Sequence, residues 1–385
     1  MSGFATFPTL IPELSTQWVL SDTQSGWISG IYFGGYVIAV AILTALTDRM
    51  SPKRVYVFSM AISFIGALGF ATFSSDVWSA SFWRLLQGIG LAGTYMPGLR
   101  ILIDQLPDRL HSRATAFYTS SFSIGAALSY FTTGSANDIW GWQVAFMVCT
   151  IGPAIAMVLA ILVFDSEYKH EHKPTTALLD FRPVLANRQT LGFTLAYCAH
   201  NAELFAFRSW MIAFLVFSQT LQGVSDAFWN PALVATIVVI LGMPSSILFN
   251  EVAMHVGRQY VVIGVMLCSA IVGVIFGFAS TVSMPILVLI AFVYGVTITG
   301  DSSAITAGVV QAAQPMYKGA TMAVHSVIGF IGGFLGPVIF GVVLEFSGGS
   351  ESRHAWGVAF TIISILLLLG PVAVIRLTGL RKILY

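Results

Sequence analysis

Apolar runs of roughly 20 residues, each long enough to cross about 30 Å of hydrocarbon as a helix, recur along the whole of this 385-residue chain. They fall at 1–14, 27–46, 55–74, 79–103, 115–134, 141–164, 190–216, 227–249, 260–280, 284–311, 320–343 and 355–377. The runs are continuous rather than alternating, so they read as helices and not as barrel strands, the only other structure that pairs its own backbone in lipid. Eleven are full length. The first has fourteen residues, which at about 1.5 Å each reach only about 21 Å. It reads as a helix whose first turns are missing from this sequence, with roughly six to ten further residues expected upstream of Met1 to complete a span.

Composition agrees with a chain that lives in lipid. It is 56% hydrophobic and 9% charged, with mean hydropathy +0.84, against about 25% charged residues in a soluble domain. The lipid bilayer is therefore one partner. A net charge of +1 and the lack of a basic tail give no reason to expect nucleic acid. Cys149, Cys198 and Cys268 all lie in apolar runs and read as small packing residues, not as disulfides or metal ligands.

Charge fixes the expected orientation, because short cytoplasmic loops collect Lys and Arg. With the amino terminus inside, 14 of the 18 basic residues fall in cytoplasmic segments, and only Arg353 falls outside. All nine tryptophans then lie at or near the outer ends of helices or in outer loops. Both termini are expected in the cytoplasm of a multi-pass protein of the cell membrane, a monomer.

The longest polar stretch, 165–189, divides six runs from six. It predicts a bundle at 1–164, a cytoplasmic linker and a second bundle at 190–385. His170, Glu171 and His172 in the linker read as a solvated loop rather than a metal site. Each half also carries a charged hinge between its second and third runs: "LTDRMSPKR" at 46–54 and "NEVAMHVGR" at 250–258, with Thr44 and Asn250 in register 206 residues apart. A six-helix unit used twice is how many transporters are built, with the substrate between the halves.

On these residues the chain resembles the major facilitator superfamily over essentially its full length. That family's loop signature, G-x-L-a-D-r-x-G-r-k/r, is met by Leu46, Asp48, Arg49, Lys53 and Arg54, although both glycines are replaced. The second copy keeps Gly257 and Arg258, with Glu251 as the nearby acid. A second signature, R-x-x-Q-G-x-G, is matched by Arg84, Gln87, Gly88 and Gly90. The glycine–proline signature of antiporters is absent from the fifth run, where Ala126 follows Gly125. Within the superfamily, "AYCAHNAELFAFRSW" and the arginines of the fourth run are similar to bacterial cyanate- and nitrate-type anion porters. The resemblance implies an all-α fold of twelve transmembrane helices in two pseudo-symmetric six-helix bundles. It also implies that Asp48, Arg49, Arg54, Glu251 and Arg258 form gates that hold only while the cytoplasmic side is closed.

Charges inside membrane runs are costly and mark function or buried networks. Arg84, Arg100, His200, Glu203, Arg208, Asp301 and His325 are the set. At about 100° per residue, His200, Glu203, Phe207 and Trp210 share one face of the seventh run, while Asn201 and Arg208 share another. Counted from the cytoplasmic ends, His200, Asp301 and His325 come to similar depth. His200, Glu203, Asp301 and His325 are the candidates for proton coupling. Arg84, Arg100, Asn201 and Arg208 are the candidates for binding substrate, a guanidinium being suited to grip a small oxyanion. A structural network joining three helices is the alternative for the first set, and snorkelling of Arg100 to the interface is one for the second.

Gly88-x-Gly90-x-x-Gly93 imitates a dinucleotide fingerprint, but it lies inside a membrane run with no strand before it, where small residues serve packing. Neither a nucleophile–base pair nor a metal or cofactor constellation suggests a membrane enzyme. The expected function is secondary transport by alternating access, proton-coupled, of a small organic or inorganic anion. Proton-driven efflux of amphipathic compounds is the alternative.

Overall fold

The computed structural model describes residues 1, 3–47, 49–164, 181–224 and 229–379. Sixteen helices are seen among them. In the first half these are α1 (Thr6–Gln17), α2 (Asp22–Leu46), α3 (Pro52–Phe73), α4 (Val77–Ala92), α5 (Tyr95–Asp104), α6 (Asp108–Trp140) and α7 (Trp142–Val163). In the second they are α8 (Arg182–Ala186), α9 (Arg188–Gln222), α10 (Pro231–Val256), α11 (Arg258–Phe278), α12 (Met284–Gly300), α13 (Ser302–Ala312), α14 (Lys318–Phe346), α15 (Arg353–Leu367) and α16 (Leu369–Thr378). Counting the pairs α4–α5, α12–α13 and α15–α16 as broken spans gives twelve crossings in two six-helix bundles. Nine spans among the described residues are long and apolar enough to cross a membrane; α1, α4–α5 and α6 complete the set. The ends where residues 47 and 164 lie are called here the linker side.

The sequence places the breaks. The fourth run, 79–103, is one continuous apolar stretch in the sequence, but its helix is interrupted at Gly93–Thr94, one turn before Pro97. Proline has no N–H, so the carbonyl four residues before Pro97 has no helical donor, and that residue is Gly93. Pro371 does the same to Leu367, where α15 ends. The tenth span breaks at Asp301 without a proline. Gly300 lies against Phe249 there, so close that a Cβ would stand 2.7 Å from its ring.

Four helix starts on the side opposite the linker, those of α2, α4, α10 and α15, are capped by side chains. Ser21 and Gln24 form a capping box on α2. Asp76 and Ser79 do so on α4, and the Ser79 hydroxyl and N–H hold the exposed Asp76 carboxyl below the usual carboxylate range. Each cap satisfies N–H groups that a helix leaves free.

The two bundles meet along α2 and α14 and along α6 and α10. Glycine makes the first seam possible. A Cβ on Gly26 would stand 2.4 Å from the Pro337 oxygen, and one on Gly341 2.4 Å from the Asp22 oxygen. Towards mid-depth the seam becomes aromatic: Phe33 lies 4.0 Å from Phe205 and Tyr36 4.3 Å from Phe330, centroid to centroid. Cross-bundle contacts therefore run from Asp22 down to Tyr36. That is fourteen residues along α2, about 21 Å.

Candidate transport site

Helix α9 organises the centre, and its two faces do different work. His200, Glu203, Phe207 and Trp210 turn into the second bundle. The Glu203 carboxylate accepts from the Ser269 hydroxyl at 2.9 Å and the Tyr294 hydroxyl at 3.1 Å. Trp210 Nε1 donates to the Pro337 carbonyl, and Phe207 packs 4.4 Å from the Tyr294 ring. The other face carries Tyr197, Asn201, Phe205 and Arg208: Tyr197 and Asn201 lie against α14 of the second bundle at Gly329, and the next turns reach the first bundle. Phe205 meets Phe4 and Phe33, and the Arg208 carbonyl accepts from the Tyr130 hydroxyl of α6.

Asp301 sits at the break between α12 and α13. Its Oδ1 lies 2.8 Å from His200 Nδ1, with both side chains buried. A carboxylate at a broken helix, facing an imidazole from a neighbouring helix, is a compact place to hold one proton. His325 of α14 joins the layer through Tyr197, whose ring stacks on it at 4.2 Å and lies 5.8 Å from His200. Neither His325 nitrogen, nor Asn201 Nδ2, has a hydrogen-bond partner among the described residues.

The expected binding arginines are not gathered in this layer. Arg84 is fully buried inside the first bundle. Its guanidinium donates to the carbonyls of Gly3 and Phe4 and to Gln87, and lies 4.4 Å over the Tyr32 ring. Arg100 donates to the Thr47 hydroxyl at 2.9 Å. Arg208 is buried on α9, beyond Phe205 from Asn201, with Nη1 lacking a hydrogen-bond partner among the described residues. A cavity of about 200 Å³, lined by Tyr32, Gln87, Thr94 and Cys149 among others, belongs to the first bundle alone.

Among the expected gate residues, Asp48 lies outside the described residues, as do His170, Glu171 and His172. Arg49, Arg54 and Glu251 are exposed. Lys53 donates to the carbonyls of Ile161 and Phe164 at the end of α7, which fastens the hinge to its own bundle. Arg258 bonds Asn250 at 2.8 Å and Gln311 at 3.0 Å. The cysteines are free thiols; Cys149 lies 2.8 Å from the Thr6 hydroxyl.

Sequence reasoning passed over Tyr36, Tyr130 and Tyr197, because a tyrosine in an apolar run looks like packing until its partners are seen. It also passed over Asp22 and Glu345, which sit at the ends of runs.

The model of the Major Facilitator Superfamily matches residues 1–255. The chain belongs to this superfamily and is a multi-pass membrane transporter. It is similar to the sialic acid transporter NanX of Escherichia coli (strain K12), 21% identical over 355 residues, covering 90% of this chain and 85% of NanX. It is also similar to the 3-(3-hydroxy-phenyl)propionate transporter of the same organism, 26% identical over 352 residues, covering 88% and 82%. Among solved structures, a bacterial homolog of the human lysosomal transporter Spinster, in an inward-facing and unoccupied conformation, superposes with a TM-score of 0.76. That pair shares 13% identity over 97% of this chain and 93% of the other, so the likeness is one of fold. Family and relatives are transporters of small molecules, not enzymes.

Proposed function

We propose that this transporter moves a small organic anion together with a proton, by alternating access, and acts as a monomer in the cell membrane with both termini in the cytoplasm. The observation that carries the reading is the buried His200–Asp301 pair at 2.8 Å, set where α9 meets the break in the tenth span. An anion entering a low-dielectric centre needs a compensating charge. A proton bound at the pair, or on His325 beside it, supplies one and leaves with the substrate. Asn201 and Arg208, on the other face of α9, meet the anion. Arg84 and Arg100, engaged with carbonyls and Thr47, position the helices around it. The relatives named above carry sialic acid and a phenylpropionate, both carboxylates.

Positive-inside charge makes the linker side cytoplasmic. With the bundles in contact from Asp22 to Tyr36, the described conformation is then closed towards the outside. Asp48, Arg49, Arg54, Glu251 and Arg258 act as gate residues of the cytoplasmic side, and 165–189 links bundles 1–164 and 190–385.

The test is uptake by proteoliposomes under an imposed pH gradient, acid outside, with a panel of carboxylates and small inorganic anions. Accumulation of at least one acid that collapses with a protonophore is expected. Transport of every accepted solute that ignores the gradient overturns the coupling. Extrusion of amphipathic cations in place of anions would turn the reading to efflux.

A further inference from the structure

At the end of the α2–α14 seam farthest from the linker, two carboxylates cross between the bundles in opposite directions. Glu345, in the last turn of α14, accepts at Oε2 from the backbone N–H of Thr23 at 2.9 Å. Asp22, the first residue of α2, accepts at Oδ2 from the backbone N–H of Ser350 at 2.9 Å, in the turn that leads to α15. We propose that Asp22 and Glu345 are the gate residues of this side of the transporter, a pair of carboxylate latches that close the outer mouth and release once in each cycle.

Four features favour a latch over a permanent joint. The Thr23 N–H is in the first turn of α2, where no intrahelical acceptor exists, so it must find an oxygen elsewhere. A carboxylate is a strong acceptor there, and the helix terminus favours its charge. The bonds lie at the margin of the protein rather than in its core: Phe346, beside Glu345, is 85% exposed. When the bundles part, carboxylate and N–H both pass to water, and the cost of breaking is small. The turn that presents Ser350 is built for its position, with Gly348 and Gly349 at φ of 123° and 80°, a region that favours glycine. Finally, the two acids lie within electrostatic reach of each other, so each resists the other's presence and the seam closes only while both N–H donors are engaged.

Any alternating-access cycle requires this mouth to open, and α2 cannot leave α14 without breaking both bonds. The gate loops between the second and third helices of each bundle lie at the other face, and no sequence motif marks this one. The latch stands whether or not a proton is the coupled ion.

Two measurements test it on the full chain. Spin labels at Val19 and Phe346, in a background with the three native cysteines replaced, report the width of this mouth. The double variant Asp22→Asn with Glu345→Gln is expected to move the distance distribution towards the longer state by tenfold or more in population. An unchanged distribution, with the melting temperature kept within a few degrees, overturns the proposal. Should the double variant fail to fold, the opposite experiment decides. Asp22→Cys with Ser350→Cys, once oxidised, is expected to abolish transport and to regain it on reduction. Transport at the wild-type rate with the cross-link demonstrably formed overturns the proposal. Gradient-independent transport that still stops on cross-linking would remove proton coupling and leave the latch in place.

Discussion

Gly30 lies directly beneath the carbonyl of Phe334: a Cβ there would stand 2.4 Å from that oxygen. Gly88 is placed similarly under the carbonyl of Tyr32, at 1.7 Å. The two contacts differ in kind. The first joins α2 to α14 across the bundle boundary, and the second joins α4 to α2 within one bundle.

That difference predicts different outcomes for the same substitution. Overpacking costs about 1–3 kcal/mol, and Gly88→Ala bears it in every state of the cycle. Its melting temperature should fall. Gly30→Ala bears the cost only while α2 and α14 touch, so it should shift the conformational balance by roughly tenfold, since about 1.4 kcal/mol is a factor of ten. Thermal unfolding and distances between labels on the two bundles separate the cases. Equal losses of melting temperature, with no change in distances for Gly30→Ala, would show that the seam is a fixed joint.

Glu203 is predicted to behave as a structural group. Its carboxylate serves Ser269 and Tyr294 inside the second bundle. Glu203→Gln keeps an acceptor and should retain gradient-driven uptake. Glu203→Ala leaves two buried hydroxyls without it, at about 1–3 kcal/mol each, and should lower the melting temperature. Loss of proton-driven accumulation in Glu203→Gln, with exchange of substrate intact, would place the coupled proton on Glu203 instead.

Much of this arrangement was legible in the sequence. Twelve spans, the two halves and the two faces of α9 follow from apolar runs and a helical period, because lipid admits few alternatives. Gly88, Gly90 and Gly93 read as packing residues, and each abuts a neighbouring helix. The partners of the buried charges were not legible. His200 and Asp301 are a hundred residues apart, and their contact depends on where α12 breaks, which no proline marks. Arg84 looked free to bind an anion because the carbonyls it serves, those of Gly3 and Phe4, carry no signal in a sequence. Asp22 and Glu345 lie outside the apolar runs, and nothing in the sequence marked them.

The hinge between α2 and α3 carries a prediction of its own. Lys53 is fastened to α7, while Arg49 and Arg54 are exposed and available to meet the opposite bundle when that side closes. Asp48→Asn should leave expression and topology unchanged and slow turnover at saturating substrate, since it removes a charge used in one state only. A wild-type rate under those conditions would exclude a gating role for Asp48.

The last prediction concerns the coupled proton. Asp301 is held at a helix break with His200 at 2.8 Å and no arginine or lysine bonded to it among the described residues. A pair so buried is costly when only one member is charged; a bound proton neutralises it, so that an entering anion does not meet a second negative charge. Asp301→Asn keeps the shape and removes the carboxylate proposed to share the coupled proton. Substrate exchange between equal pools needs no net proton movement, so it should persist. Accumulation against a concentration gradient needs the proton, and it should fall to the level of vesicles without a pH gradient. His200→Gln should show the same separation, because it removes the other half of the site. Parallel loss of exchange and accumulation in both variants would mean that the pair binds substrate or holds the helices. Accumulation that survives in both would move the proton to His325 or Glu203, and whichever of His325→Gln and Glu203→Gln abolishes it would say which.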